Sequence, residues 1–209
     1  MDSPNGGVVD SDQHLYEPRG MWEDYADPAD RDLDLRLVDD DRGYTWLAWD
    51  GGRLSLADVH RPGDTGSCGA HRRRLRAGQP SGYRYDDELP SPYWEVGARL
   101  EWMDRAGLAS AVCFPNFGLV WERSLEASPR AQTANMRAWN RYCTDVATAS
   151  RGRIFPVAHL TLRDREWLAA ELAALSSAGI RMAMIAPGPV DGRALSHPDH
   201  EEIWAAFVD

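Results

Sequence analysis

From Tyr93 to Phe207 the sequence alternates stripes of helical period with short apolar runs, and a glycine closes each of the first three stripes. Val96, Leu100 and Met103 fall at i, i+4 and i+7 before Gly107, which predicts an amphipathic helix ended by a left-handed cap. Ala109 to Pro115 is nearly continuous in apolar residues, as a strand covered on both faces of a parallel sheet would be. Ser128 and Pro129 then open a second helix as N-cap and first position, and Trp139, Tyr142, Cys143, Val146 and Ala149 carry its stripe to Gly152. A third strand is expected over Ile154 to Leu160, and Thr161 to Asp164 reads as a Thr-x-x-Asp cap. Leu168, Leu172 and Leu175 form the next buried face, which Gly179 ends. Ile180 to Ala186 reads as a further strand, and Asp199 to Glu202 opens a last helix with Ile203, Trp204 and Phe207 on its apolar side.

One strand precedes all of these. Val8 to His14, VVDSDQH, reads as a short buried strand, so four parallel strands are expected, joined by helical crossovers of right hand. Between the first strand and the regular part lies a different kind of sequence, residues 15–93, read as an insertion. Asp27 to Asp41 is dense in carboxylates and Gly63 to Gly82 is rich in Gly, Arg and Ser, so both are expected to include exposed loop. Between them Tyr44 to Trp49 alternates, and Asp50-Gly51-Gly52 offers a tight turn before Arg53 to Leu56, the signature of a β-hairpin. Its aromatics are placed to pack the insertion on the main domain or to cover a pocket.

Without the insertion the 209-residue chain retains about half of the roughly 250 residues an eight-stranded barrel needs. The fold class expected is α/β: one domain, residues 1–209, forming the first half of a (β/α)8 TIM barrel with an inserted segment after the first strand. An open doubly wound sheet is the competing topology, but no Gly-x-Gly-x-x-Gly follows the first strand. The last helix stops at Asp209 without a closing Gly, Lys or Arg, so the chain reads as cut, and an unclosed core with free strand edges favours association into homo-oligomers.

The acidic balance, 33 Asp and Glu against 23 Lys and Arg, argues against general nucleic-acid binding. The one basic run, His71 to Arg76, reads as a solvated loop, with an anion-gripping role as its sharper alternative. No run is long and apolar enough for a membrane span, and the N-terminus lacks an export signal, so the cytoplasm is expected. Cys68, Cys113 and Cys143 are an odd number with no Cys-x-x-Cys, which speaks against disulfides and a structural zinc site; Cys113 and Cys143 read as core filling.

The chemistry concentrates at the end of the first strand. In an extended strand, residues i and i+2 leave the same face, so Asp12 and His14 would present a carboxylate and an imidazole side by side to one divalent ion. A chance Asp-x-His on a surface loop is the bland alternative, and Asp10, Glu17 and Pro18 nearby suit either.

The segments DSDQHLYEP (10–18), RLEWMDRAGLASAVCFPNFGL (99–119), RIFPVAHLTLRD (153–164) and HPDHEEIWAAF (197–207) resemble the amidohydrolase-related family, which includes aminocarboxymuconate semialdehyde decarboxylase and the aromatic-acid decarboxylases. The resemblance spans the chain apart from most of the insertion. It implies that Asp12 and His14 are the first-strand metal ligands, in a carboxylate-x-His version of the more usual His-x-His. A single divalent metal is implied, zinc before manganese, although a carboxylate suits either. The resemblance puts the remaining ligands and the catalytic histidine and aspartate on strands five to eight, beyond Asp209, so no catalytic residue is assigned within the chain.

The function implied is that of a metal-dependent hydrolase or decarboxylase acting on a small carboxylate- or carbonyl-bearing substrate. Glu17 is placed to orient His14 or to bind substrate, against a plain loop carboxylate. Asn116 and His159 end the second and third strands, on the face where barrels keep their sites; for His159 a satisfied buried histidine is the competing reading. His197 and His200 are expected as surface residues at a helix start. Two other classes stay open: an inert fragment or interaction module, and a metal-dependent phosphoesterase that would use the basic run.

Overall fold

The structure is a computed structural model that describes residues 7–60, 76–78 and 90–208. Cys68, most of the basic run (71–75) and most of the Gly-rich stretch 63–82 lie outside the described residues.

Strand β1 (Val8–Leu15) pairs in parallel with β5 (Leu108–Pro115), and β5 pairs in parallel with β6 (Ile154–Pro156). After Val157 the same segment resumes as β7 (Ala158–Leu160), which pairs in parallel with β8 (Ala183–Ile185). Val157 N–H still donates to Cys113 O at 2.9 Å, and Ala158 N–H donates to Met182 O at 2.9 Å. The third strand therefore hands over from one neighbour to the next at Val157. Spatial order thus follows chain order, β1, β5, β6 with β7, then β8. A barrel is built in that order, whereas a doubly wound sheet reverses beside its first strand. Among the described residues the sheet does not close.

Three helices cover one face. Helix α2 (Val96–Ala106) ends at Gly107, whose φ of 71° supplies the left-handed cap that the sequence predicts. Helix α3 (Pro129–Ser150) buries Met136, Trp139, Cys143 and Val146 against the sheet. Ser128 does stand at its N-cap but makes no side-chain cap bond, and Ala149 is exposed while Ser150 is buried. Helix α4 (Arg165–Ser177) is capped by Asp164, whose carboxylate accepts from Trp167 N–H at 2.9 Å. Thr161, the expected cap, instead accepts weakly from Arg163 N–H at 3.3 Å; a carboxylate at the residue adjoining the first turn is the stronger acceptor. Helix α5 (Glu201–Ala205) follows a short 3-10 turn, Pro198–His200.

The helix-facing residues Ala111, Cys113 and Pro115 of β5 are buried, whereas Val112 and Phe114 on the opposite face are half-buried and Phe155 of β6 is 41% exposed. The expectation of a strand covered on both faces is met on one face only, because the opposite face is the interior of an unclosed sheet.

The insertion is more regular than its composition suggests. Helix α1 (Met21–Tyr25) buries Met21 and Trp22, and β2 (Arg36–Asp39), β3 (Thr45–Trp49) and β4 (Gly52–His60) form an antiparallel meander. The turn between β3 and β4 has positive φ at both Asp50 (49°) and Gly51 (69°), the backbone a two-residue hairpin turn requires. Asp27 to Asp41 does include an exposed turn, at Arg31 and Asp32, but it also holds strand β2, of which its carboxylates gave no sign: Leu35 and Leu37 join the main core with Leu47. Tyr44 and Trp46 stack at 6.1 Å on the meander's other face, under the guanidinium groups of Arg42 and Arg53. Trp46 therefore packs with arginine, while Thr45 and Leu47 supply the buried contact.

Candidate functional site

Strand β1 does not run straight into its polar end. Asp10 is paired with Ala111 and Gln13 with Cys113, so three steps on β1 match two on β5 and one residue bulges out. Asp10 braces the bulge: its carboxylate accepts from Asp12 N–H at 3.2 Å and from the Gln13 side-chain amide at 3.0 Å. Beyond the bulge burial alternates, with Asp12 and His14 exposed and Gln13 and Leu15 buried. Asp12 and His14 thus leave one face together, and the bulge re-aims that face, a common use of bulges beside sites.

The face is the open interior of the sheet. His14 is paired with Phe114, and their rings lie 6.2 Å apart. His14 Nδ1 meets the Pro115 carbonyl at 3.3 Å. Proline's carbonyl can only accept, so this contact, long for a hydrogen bond, favours a proton on Nδ1 and leaves the Nε2 lone pair facing outward. A metal-binding imidazole is commonly prepared this way. Asp12 and His14 therefore fit a divalent ion as two of its ligands; among the described residues no third His, Cys, Asp or Glu completes the group.

Asp12 and His14 are exposed, whereas Glu17 is buried. Its carboxylate is buried under the loop after β5 and accepts from Phe117 N–H at 3.0 Å. Burial pushes its pKa up to about 8 against the opposing pull of backbone N–H groups from Phe117 and its neighbours. Pro115 O meets Nδ1 of His14, and Glu17 meets the loop after β5. Glu17 shapes the loop carrying Asn116, which is itself half-buried and tied to β1 by its N–H bond to Leu15 O at 2.9 Å.

His159 is 1% exposed at the middle of β7. Its Nε2 lies 3.0 Å from Glu122 Oε2, and the Trp121 ring meets it edge-on at 5.0 Å. Asn140 of α3 holds its backbone, and the same amide donates to Glu171 at 2.9 Å. Glu122 had no signal in the sequence, since it lies in an irregular 3-10 turn whose path only the folded chain defines. Arg99 was missed for another reason: it lies within the regular helix α2, and only its partners at the end of β1 show that it points inward.

His197 is exposed as expected, but His200 is 2% exposed and corrects the surface reading. It lies buried in the 3-10 turn with its ring 6.0 Å from that of His197, and among the described residues neither ring nitrogen has a hydrogen-bond partner. Cys113 and Cys143 are buried free thiols, and burial raises the pKa of Cys113 to about 11 and that of Cys143 well above its ordinary value.

Comparison with solved structures matches this architecture to that of known enzymes. An amidohydrolase from Mycobacterium avium subsp. paratuberculosis superposes with a TM-score of 0.72 at 22% identity, over 97% of this chain and 56% of its own. The fold is that of about half of this amidohydrolase. A 5-carboxyvanillate decarboxylase from Novosphingobium aromaticivorans, solved with bound manganese and 3-methoxy-4-hydroxy-5-nitrobenzoic acid, matches with a TM-score of 0.53 at 17% identity, over 98% of this chain and 49% of its own. The chain therefore spans about half the length of these structures. No family model matches the sequence, and comparison with curated proteins finds no relative.

Proposed function

We propose that this chain belongs to a metal-dependent hydrolase or decarboxylase of the amidohydrolase superfamily, acting on a small carboxylate- or carbonyl-bearing substrate. The observation that carries the reading is the placement of Asp12 and His14 on one face at the end of β1, with Nδ1 of His14 against Pro115 O. The manganese in the decarboxylase neighbour supports a divalent ion; zinc and manganese both suit a carboxylate and an imidazole. When bound, such an ion polarises a substrate oxygen and acidifies water. Asp12 and His14 would hold it, and the face of half-buried Val112 and Phe114 with exposed Phe155 would take the apolar part of a substrate. Further ligands and the proton-transfer groups would come from the part of such a fold that this chain does not span. Asn116 and His159 are proposed to line or brace the site, and Glu17 to hold the loop that carries Asn116. Two buried free thiols fit a reducing, cytoplasmic setting.

A second reading has its own observation. Val8 and Val9, expected to belong to a buried strand, are instead 62% and 58% exposed, and with Phe155 they leave apolar surface on an open sheet, which favours an interaction module or a homo-oligomer over an isolated catalyst. Metal analysis and turnover assays decide between the two. Bound divalent metal, with turnover that chelation and Asp12→Ala both abolish, supports the enzyme. A metal-free protein whose turnover is unchanged by Asp12→Ala contradicts it.

A further inference from the structure

Arg99 is 4% exposed, yet no carboxylate is among the groups its guanidinium meets at hydrogen-bond distance among the described residues. Its Nε donates to Pro92 O at 2.7 Å, one terminal nitrogen donates to Gln13 Oε1 at 2.7 Å, and the other donates to His14 O at 2.6 Å. Tyr93 O and Cys113 Sγ lie farther off, at 3.5 and 3.6 Å. Burying a guanidinium on neutral acceptors is expensive unless several donors are satisfied at once, which a planar fork with five N–H groups can achieve.

The place of these acceptors is informative. Leu15 O faces β5, where it accepts from Asn116 N–H. Successive carbonyls of a strand point to opposite sides in the sheet plane, so His14 O faces away from β5, where β1 has no partner strand among the described residues. Arg99 satisfies that edge carbonyl, and through Gln13 it also reaches Asp10, whose carboxylate braces the bulge. Arg99 thus binds the backbone after Asp12 directly, at His14 O, and reaches the Asp10 carboxylate before it through the Gln13 side chain.

We infer that Arg99 is a positioning residue for the Asp12 and His14 pair: it locks the bulged end of β1 so that the His14 ring lies against Pro115 O and turns Nε2 outward. The functional weight of this role rests on the metal reading of His14, while the geometry of the lock does not.

The test is the imidazole 15N spectrum of the full chain, metal-free and at a pH where imidazole is neutral. The wild type should show His14 with its proton on Nδ1. Arg99→Lys keeps the charge but not the fork, and Gln13→Met removes one acceptor while leaving Arg99 in place. In both, the His14 signals should move toward the Nε2-protonated pattern, and Mn2+ affinity should fall about tenfold or more. A wild-type His14 protonated on Nε2, or a His14 tautomer unchanged in whichever variant folds, overturns the inference. A tautomer that shifts in the variants, together with a wild type that binds no Mn2+, upholds the lock and defeats the metal reading instead.

Discussion

Asn140 binds both backbone groups of His159, accepting from its N–H at 2.8 Å and donating to its C=O at 3.1 Å. A helix side chain thereby does what a neighbouring strand would do. Asn135, five positions earlier on α3, repeats the device on the insertion, accepting from Leu35 N–H and donating to Leu33 O, both at 2.8 Å. Together the two amides fasten the third strand and the insertion to one helix.

Asn140→Ala strips a partner from each of two buried backbone groups. At roughly 1–3 kcal/mol for each orphaned group, the variant should lose about 2 kcal/mol or more, read as a lower urea midpoint at unchanged slope. Asn140→Asp keeps the acceptor but loses the donor to His159 O and Glu171, so it too should destabilise.

Glu17 makes stability depend on pH. Its folded pKa of about 8 stands above the ordinary 4.5, so between those values the folded state holds a proton that the unfolded state has released. The contribution is therefore fully present below about pH 4.5 and is lost as pH rises toward 8. Glu17→Gln should remove this slope, and thermal melts of both proteins at pH 5 and pH 8 should show the variant gaining most at the higher pH.

Cys113 and Cys143 should resist thiol reagents. Raised thiol pKa values leave little thiolate near pH 8, and burial denies access. In a Cys68→Ser background neither should react until denaturant unfolds the chain; fast labelling of either in the folded protein would contradict the packing.

The alternation after Tyr93 was legible because it reports burial at fixed periods: Met103, Trp139, Cys143 and Leu168 all lie where their stripes put them. Asp12 and His14 were legible because i and i+2 share a face in any strand, although the bulge that re-aims them leaves no mark in the sequence. What stayed hidden was polar. Arg99, Asn135 and Asn140 sit within helical stretches where surface positions look the same, and only their long-range partners show that they point inward. Strand β2 was hidden for a related reason, since Leu35 and Leu37 are flanked by Asp32, Asp34, Asp39 and Asp40 and carry no long apolar run.

The central claim, that Asp12 and His14 are ligands of one divalent ion, is tested most directly by calorimetric titration of Mn2+ into the wild-type chain, Asp12→Ala and His14→Ala. The account predicts one saturable site in the wild type and a loss of about tenfold or more in affinity in each variant. Equal binding by all three proteins, or no binding by any, would contradict it.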